Sequence, residues 1–230
     1  MVTELFTDWQ LDPIKRRSLL TKEITRFPHV MAGVQAHLHN TRFPGKIYAD
    51  IKGAPMLFHV LNKVSLVSAI STTCIITTDI LDYVPEGVAV HVSSKPKAKD
   101  VLLEYYTAAE HFKPDYIVRV TSDCPALDPF LMEYVVQKAV EHKADYCSNV
   151  LKPTFPDGQD IEVMSANLLK FMYDVVRDRG GREHVTMAFR KNTQWQETFK
   201  TVSVINQTDY SKIKMSVDTV EDLKEIELYV

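Results

Sequence analysis

The apolar positions of this chain gather in short runs, and polar loops separate them at intervals typical of alternating strands and helices. Runs rich in apolar and β-branched residues predict strands at 29–36, 74–78, 88–92, 116–120, 146–150, 160–164, 199–205 and 214–217. Longer segments with helical spacing predict helices at 55–64, 100–111, 129–142, 167–179 and 221–229. Pro55 suits a first helical turn, and Asp100 suits an N-cap. Strand and helix in regular alternation argue for an α/β fold, a mostly parallel sheet with helices on both faces. Ligands of such sheets bind beyond the carboxyl ends of the strands, which points to the loops 37–46, 121–128 and 218–222. Residues 151–163 interrupt the alternation and read as an inserted segment.

Residues 1–28 read as an extension ahead of the main fold. Ile14, Leu19, Leu20 and Ile24 recur near helical spacing, which predicts a short amphipathic helix there. Residues 29–230 read as a single domain, a division the length of 230 residues supports. The net charge of −3 provides no global basic field, which argues against nucleic acid as the main partner. Nothing approaches the run of roughly 20 apolar residues that a membrane helix needs, and the charged opening segment is unlike a signal peptide. Cys74, Cys124 and Cys147 are isolated and form no CxxC pair, which fits a reducing, cytoplasmic setting.

Five segments carry candidate chemistry. Gln35 to Lys46 follows the first main strand and places Arg42 and Lys46 four residues apart, with Pro44-Gly45 as a turn between them. Fixed cations and backbone N–H groups at a strand end suit a triphosphate, although two basic residues in an ordinary surface loop would read alike. The Walker pattern GxxxxGK[ST] is absent. In Arg119 to Pro129, Asp123 lies just past a strand end, where a carboxylate can hold Mg²⁺ against phosphates or simply cap a turn. Asp128 precedes Pro129 as a helix cap. In Phe155 to Val163, Asp157-Gly158 marks a turn, and Asp160 and Glu162 share one strand face. Such a pair suits hydroxyl binding, proton abstraction or metal support, or a solvated strand face. Gly180-Gly181 precedes Arg182, Glu183 and His184, where His184 is either a base, an anion ligand or a structural residue. Last, Thr219 with Asp222 resembles a capping box, which leaves Asp218 unexplained by capping and able to pair with Asp123 around a metal.

Taken in order, these segments resemble the cytidylyltransferase family of CMP-sugar-acid synthetases, and within it the SpsF-like branch. Gln35 to Lys46 is similar to the family's QARxxSTRLPGK, and Arg119 to Pro129 to its RITxDCPLIDP. Asp145 to Asn149 followed by Phe155 to Val163 is similar to YxSN…FPDGLDVEV. Arg182 to Thr186 matches REHVT, and Val217 to Leu223 is similar to VDTPEDL. The resemblance implies a three-layer α/β/α fold of the nucleotide-diphospho-sugar transferase (GT-A-like) type. It implies that residues 29–230 form a nucleotidyltransferase domain that uses CTP and Mg²⁺ and releases pyrophosphate. Gln35, Ala36, His37, Asn40, Thr41, Arg42, Lys46, Arg119 and Ser122 would bind the nucleotide. Lys46, Arg42 and Asp123 would carry catalysis, and Asp123 and Asp218 would hold the metal. Asp157, Gln159, Asp160, Glu162, Arg182 and His184 would face a sugar, sugar acid or related phosphate or phosphonate acceptor. Relatives commonly dimerise, which leaves a homodimer open.

His37 stands where the family has Arg, and Asn40 where it has Ser. A permanent cation becomes a group that is only partly charged near neutrality, with His39 or the run Lys95 to Lys99 as compensation. Another nucleoside triphosphate as donor, or an impaired nucleotide-binding scaffold, are the alternatives this change raises. If His37 binds phosphate only when protonated, activity should rise below about pH 6.5.

Overall fold

The computed structural model describes residues 1–6, 9, 20, 28–38, 42–93 and 100–230. Ten strands are assigned among them: β1 (Val2–Phe6), β2 (Val30–Gln35), β3 (Asp50–Ile51), β4 (Ala54–Pro55), β5 (Thr72–Thr77), β6 (Ala89–Val92), β7 (Tyr116–Thr121), β8 (Tyr146–Ser148), β9 (Glu162–Ser165) and β10 (Thr201–Asn206). Eight of these form one sheet in the order β1-β10-β8-β9-β7-β2-β5-β6, and β3 with β4 makes a small hairpin. Every pairing in the large sheet is parallel except those of β9, which runs antiparallel to β7 and β8.

The helices are α1 (Met56–Ser65), α2 (Val101–Phe112), α3 (Pro129–Glu141), α4 (Ala166–Val175), α5 (Arg179–Glu183), α6 (Met187–Lys191), α7 (Thr193–Thr198) and α8 (Val220–Ile226). Leu57, Val60, Leu61 and Val64 of α1 and Leu131, Met132, Val135 and Val136 of α3 fill one side of the sheet with Val34, Ile75 and Val120. Leu102, Tyr105 and Ala108 of α2 and Leu168, Leu169 and Met172 of α4 fill the other with Met31, Ile76 and Ile117. Alternate residues of one strand thus feed opposite cores, as the period of two requires. The result is the expected three-layer arrangement.

Three expectations are corrected. Residues 1–28 do not stand wholly ahead of the fold: Val2–Phe6 extends the sheet beside β10, with Val2 opposite Val202 and Leu5 opposite Ile205. Phe6 is fully buried and meets Tyr134 and Phe155 edge-on, 5.1 and 5.7 Å between ring centroids. The helix expected around Ile14, Leu19 and Ile24 lies outside the described residues. Residues 214–217 form no strand; Lys214 makes an isolated bridge to Asp157. The bonds of this extended segment go to loops: Met215 N–H donates to the Asp157 carbonyl, and Val217 N–H to the Asp123 carbonyl at 2.8 Å. Finally, the strand expected at 160–164 begins only at Glu162, so Asp160 is a loop residue.

Candidate active site

The parallel strands β2, β5 and β7 end side by side, with Gln35 in register with Thr121 on one side and Ile76 on the other. The chain leaves β2 through Ala36 and His37, and Asp79 accepts the Leu38 N–H at 2.8 Å. Gly45, at φ 69°, takes the left-handed turn that glycine accommodates without strain and opens the single 3-10 turn Lys46–Tyr48. Ile47 is buried in the core, which fixes the direction in which its neighbour Lys46 points.

Lys46 is almost wholly buried. Its Nζ donates to Asp123 Oδ2 at 2.8 Å and to the Val217 carbonyl at 3.0 Å. Arg42 donates to Asp218 Oδ1 at 2.8 Å. Lys214 lies 3.6 Å from the other oxygen of Asp218. Thr219 and Asp222 form the reciprocal capping box, so the Asp218 carboxylate is left to the cleft. A third apolar cluster of Ile51, Met56, Ala126, Met215, Val217 and Ile226 holds the segment before Asp218 against the β3–β4 hairpin. Burial alone would raise the Asp123 carboxyl, but the charge and hydrogen bond of Lys46, with the Thr121 hydroxyl, pull it below the usual carboxylate range.

Gly158 joins this half to the turn at 157–160. It has φ 99°, and a Cβ built there would sit 2.6 Å from the Met215 carbonyl carbon. Only glycine lets the 157–160 turn lie directly on residues 215–216. Asp157 accepts from the Ser216 hydroxyl at 2.8 Å. The resulting cleft is lined by Arg119, Thr121, Asp123, Cys124, Asp157, Gly158, Asp160, Arg190, Ser216 and Asp218. Asp160 is crowded there: burial, then the nearby Glu162 and Asp157 charges, push its carboxyl up to about 6, against the opposing pull of Arg190 and Arg119.

Several expected ligands occupy other places. Gln159 is fully buried; its amide donates to the Ala126 carbonyl and its Oε1 accepts from Asp128 N–H, both at 2.8 Å. Its role is to pin the start of α3. Glu162 does not share a face of the cleft with Asp160. It lies opposite Arg119 in the β7–β9 ladder, fully buried, and takes a hydrogen bond from Arg119 at 2.9 Å and another from the Tyr146 hydroxyl. Arg182 grips Asp100, the N-cap of α2, with two bonds of 2.8 and 2.7 Å, and lies over the Tyr173 ring. His184 is exposed and does not line the cleft. Ser122 is buried, its N–H bonded to the Gln35 carbonyl.

The His37 ring is half-buried between Glu104 and Thr78, and among the described residues its Nε2 makes no hydrogen bond. Nε2 lies 3.3 Å from the buried Glu104 carboxylate and Nδ1 3.4 Å from the Thr78 hydroxyl. Asn40 and Thr41, and His39 with the run Lys95 to Lys99, lie outside the described residues.

Arg190 was not singled out from the sequence. It sits on α6, whose Phe189 is fully buried 4.7 Å from the Tyr146 ring, and this contact delivers Arg190 to the cleft. Five residues of helix offer no periodic signal by which to find it.

Among the described residues no group of three or more His, Cys, Asp or Glu side chains is arranged to hold a metal. Two hard carboxylates at the cleft, Asp123 and Asp218, are still a donor set that suits Mg²⁺, which takes one or two carboxylates and completes its shell with phosphate and water oxygens. No helix among these residues is long and apolar enough to cross a membrane.

Comparison with known proteins adds to this geometry. The family model described as "Cytidylyltransferase" matches residues 31–228. The spore coat polysaccharide biosynthesis protein SpsF of Bacillus subtilis is 26% identical over 208 residues, covering 84% of this chain and 82% of that protein. A 3-deoxy-manno-octulosonate cytidylyltransferase of Solibacter usitatus is 28% identical over 158 residues, covering 65% of this chain and 59% of that enzyme. A solved cytidylyltransferase structure from Leptospira borgpetersenii superposes with a TM-score of 0.78 at 27% identity, covering 87% of this chain and 85% of the other.

Proposed function

We propose, since the chain belongs to the cytidylyltransferase family, that it moves CMP from CTP onto a sugar acid with the help of Mg²⁺ and releases pyrophosphate. The observation that carries this reading is the meeting of two cation–carboxylate pairs at one strand-end cleft. Lys46 and Asp123 are 77 residues apart in sequence, and Arg42 and Asp218 are 176 apart. Relatives named as 3-deoxy-manno-octulosonate and 8-amino-3,8-dideoxy-manno-octulosonate cytidylyltransferases support the acceptor class.

In this reading Lys46 and Arg42 exchange their carboxylate partners for phosphate oxygens when the nucleotide arrives. The freed Asp123 and Asp218 would then hold Mg²⁺, which supplies charge neutralisation on the phosphates. The acceptor hydroxyl attacks the α-phosphorus in line, the bond to the bridging oxygen of pyrophosphate breaks, and the hydroxyl proton leaves to a base. Lys46, still bonded to the Val217 carbonyl, offsets the negative charge that grows on the phosphates. His37, engaged with Glu104 and Thr78, supports the loop rather than the phosphates.

Calorimetric titration of CTP, UTP, ATP and GTP with Mg²⁺ tests the donor. CTP should bind selectively, and Asp123→Ala should weaken it at least about tenfold, a loss of about 1.4 kcal/mol. Equal binding of all four, or an Asp123→Ala protein that binds as the parent does, would sink the reading.

Asp160 is the candidate base or hydrogen-bond acceptor for the acceptor hydroxyl. Its carboxyl, raised to about 6, must be ionised to accept a proton. The rate of transfer should therefore climb as pH rises through about 6, and this limb should vanish in Asp160→Asn. A rate that instead rises on acidification would point back to a protonated His37.

A further inference from the structure

The segment that carries Asp218 into the cleft has little backbone support of its own. Residues 214–217 belong to no strand, and the bridge from Lys214 to Asp157 is isolated. Side-chain packing must therefore set where the segment runs. Met215 and Val217 are buried in the third apolar cluster, and Ile213 packs against it. Trp9 packs against that cluster too, and against the main core as well. The Trp9 and Tyr210 ring centroids are 6.1 Å apart. The Trp9 N–H donates to the side-chain carbonyl of Asn206 at 2.9 Å. Asn206 is buried at the end of β10, where the run toward Asp218 begins. Its amide group donates to the Thr208 carbonyl at 2.7 Å, and the Gln207 N–H donates to the Phe6 carbonyl at 3.1 Å. One aromatic residue near the start of the chain is thus fastened at the head of the 207–218 segment and packed on the cluster that holds its end.

The family model begins at residue 31, so Trp9 lies outside the matched residues. An indole buries a large, rigid apolar surface, so one that touches two clusters sets how they sit against each other. We propose that Trp9 is a positioning residue for nucleotide binding: it holds residues 213–218 so that Asp218 stands ready for Mg²⁺ on the phosphates. The opening segment then serves the site and does more than widen the sheet. The proposal rests on the cytidylyltransferase reading above, in which Asp218 holds the metal, and adds to it a residue from the far end of the chain. Coupling between two places is reciprocal, so filling the cleft must also be felt at Trp9.

The chain has two tryptophans, so Trp195→Phe leaves Trp9 as the sole indole emitter. Trp195 lies in α7 beside Phe171 and does not line the cleft. In this full-length protein, CTP with Mg²⁺ should change the Trp9 emission saturably, with the midpoint that calorimetry gives. The Mg²⁺ dependence of CTP affinity separates positioning from stability. Trp9→Leu should lose at least about fivefold of the affinity for CTP that Mg²⁺ adds. Trp9→Phe, which keeps a ring, should restore most of that gain. Phe6 belongs to the same opening segment but meets Tyr134 and Phe155 in the main core. Phe6→Leu should therefore lower the melting temperature and keep the full Mg²⁺ gain. Emission that stays flat while calorimetry shows CTP bound overturns the proposal, whether or not Trp9→Leu folds. So does a Trp9→Leu protein with the full Mg²⁺ gain, or a Phe6→Leu protein with the same loss. A parent that binds no CTP removes the cytidylyltransferase reading, and the proposal with it.

Discussion

Replacing Lys46 with methionine is expected to slow CMP transfer by about 10²–10³-fold, the largest kinetic effect of any single change at this cleft. Methionine preserves most of the aliphatic stem of this buried side chain. The missing ammonium is what matters, for three reasons. It is the buried cation, whereas the Arg42 side chain is 64% exposed and weakened by water. It is fixed by two partners, Asp123 and the Val217 carbonyl, before substrate binds. It also holds Asp123 ionised against burial. Without Lys46 the Asp123 carboxyl should move upward, so Mg²⁺ affinity of the variant should weaken as pH falls, over a range where the parent holds steady. Stopped-flow pyrophosphate release gives the rate, and metal titration at several pH values gives the second readout. A variant that keeps a tenth or more of parental kcat would mean that Arg42 or Lys214 carries the phosphates instead.

Arg119→Met should lower stability by about 3 kcal/mol, roughly 10 °C in melting temperature for a chain of this size. The methionine fills most of the space but strands Glu162, which loses its nearest cation and is left with the more distant Arg190 and hydroxyl donors such as Tyr146. The sign of the pH dependence follows from Glu162. Its folded carboxyl lies below its usual range, so in the parent its contribution is present above the unfolded value and is lost as pH falls through the lowered folded one. In the variant the same carboxyl rises and can take a proton instead of paying for an unpaired buried charge. The stability gap between the two proteins should therefore be widest at neutral pH and should narrow on acidification toward pH 4–5, roughly the ordinary carboxylate range. Urea melts at several pH values check this; a gap independent of pH would mean the loss comes from packing alone.

How far these features could be read in advance varied with how locally each one is encoded. Strands β2, β5 and β7 are runs of apolar and β-branched residues that no helix would present, and they were placed within two residues of their ends. Asp100 and Asp128 cap α2 and α3 as their positions before apolar runs demand. Thr219 and Asp222 were legible for the same local reason. Strand β1 was not, because Val-Thr-Glu-Leu-Phe is too short to declare itself without its distant partner β10. Lys214 to Val217 looks like a strand because it is extended and alternating, yet its hydrogen bonds run to loops, a matter of tertiary placement. Asp160 and Glu162 were assigned to one face on the assumption of continuous strand; the strand starts at Glu162, and the inference failed there. Gln159 and Arg182 carry groups common in binding sites, and only their neighbours, Ala126 and Asp128 for one and Asp100 for the other, reveal that they stabilise backbone and helix start.

The pairing of Val2 with Val202 also sets an order of events at the ribosome. Synthesis delivers β1 two hundred residues before its partner, so the strand has no ladder to join while the central strands β2, β5 and β7 emerge and collapse. Until β10 leaves the exit tunnel, β1 lacks its strand partner, although Tyr134 and Phe155, which meet the Phe6 ring, have already been made. Such a long-range closure is slow because the chain entropy is spent before the contact is gained. This closure of the sheet thus waits for β10, and nascent chains halted before residue 201 should retain a protease-sensitive β1 on a core that is otherwise largely formed.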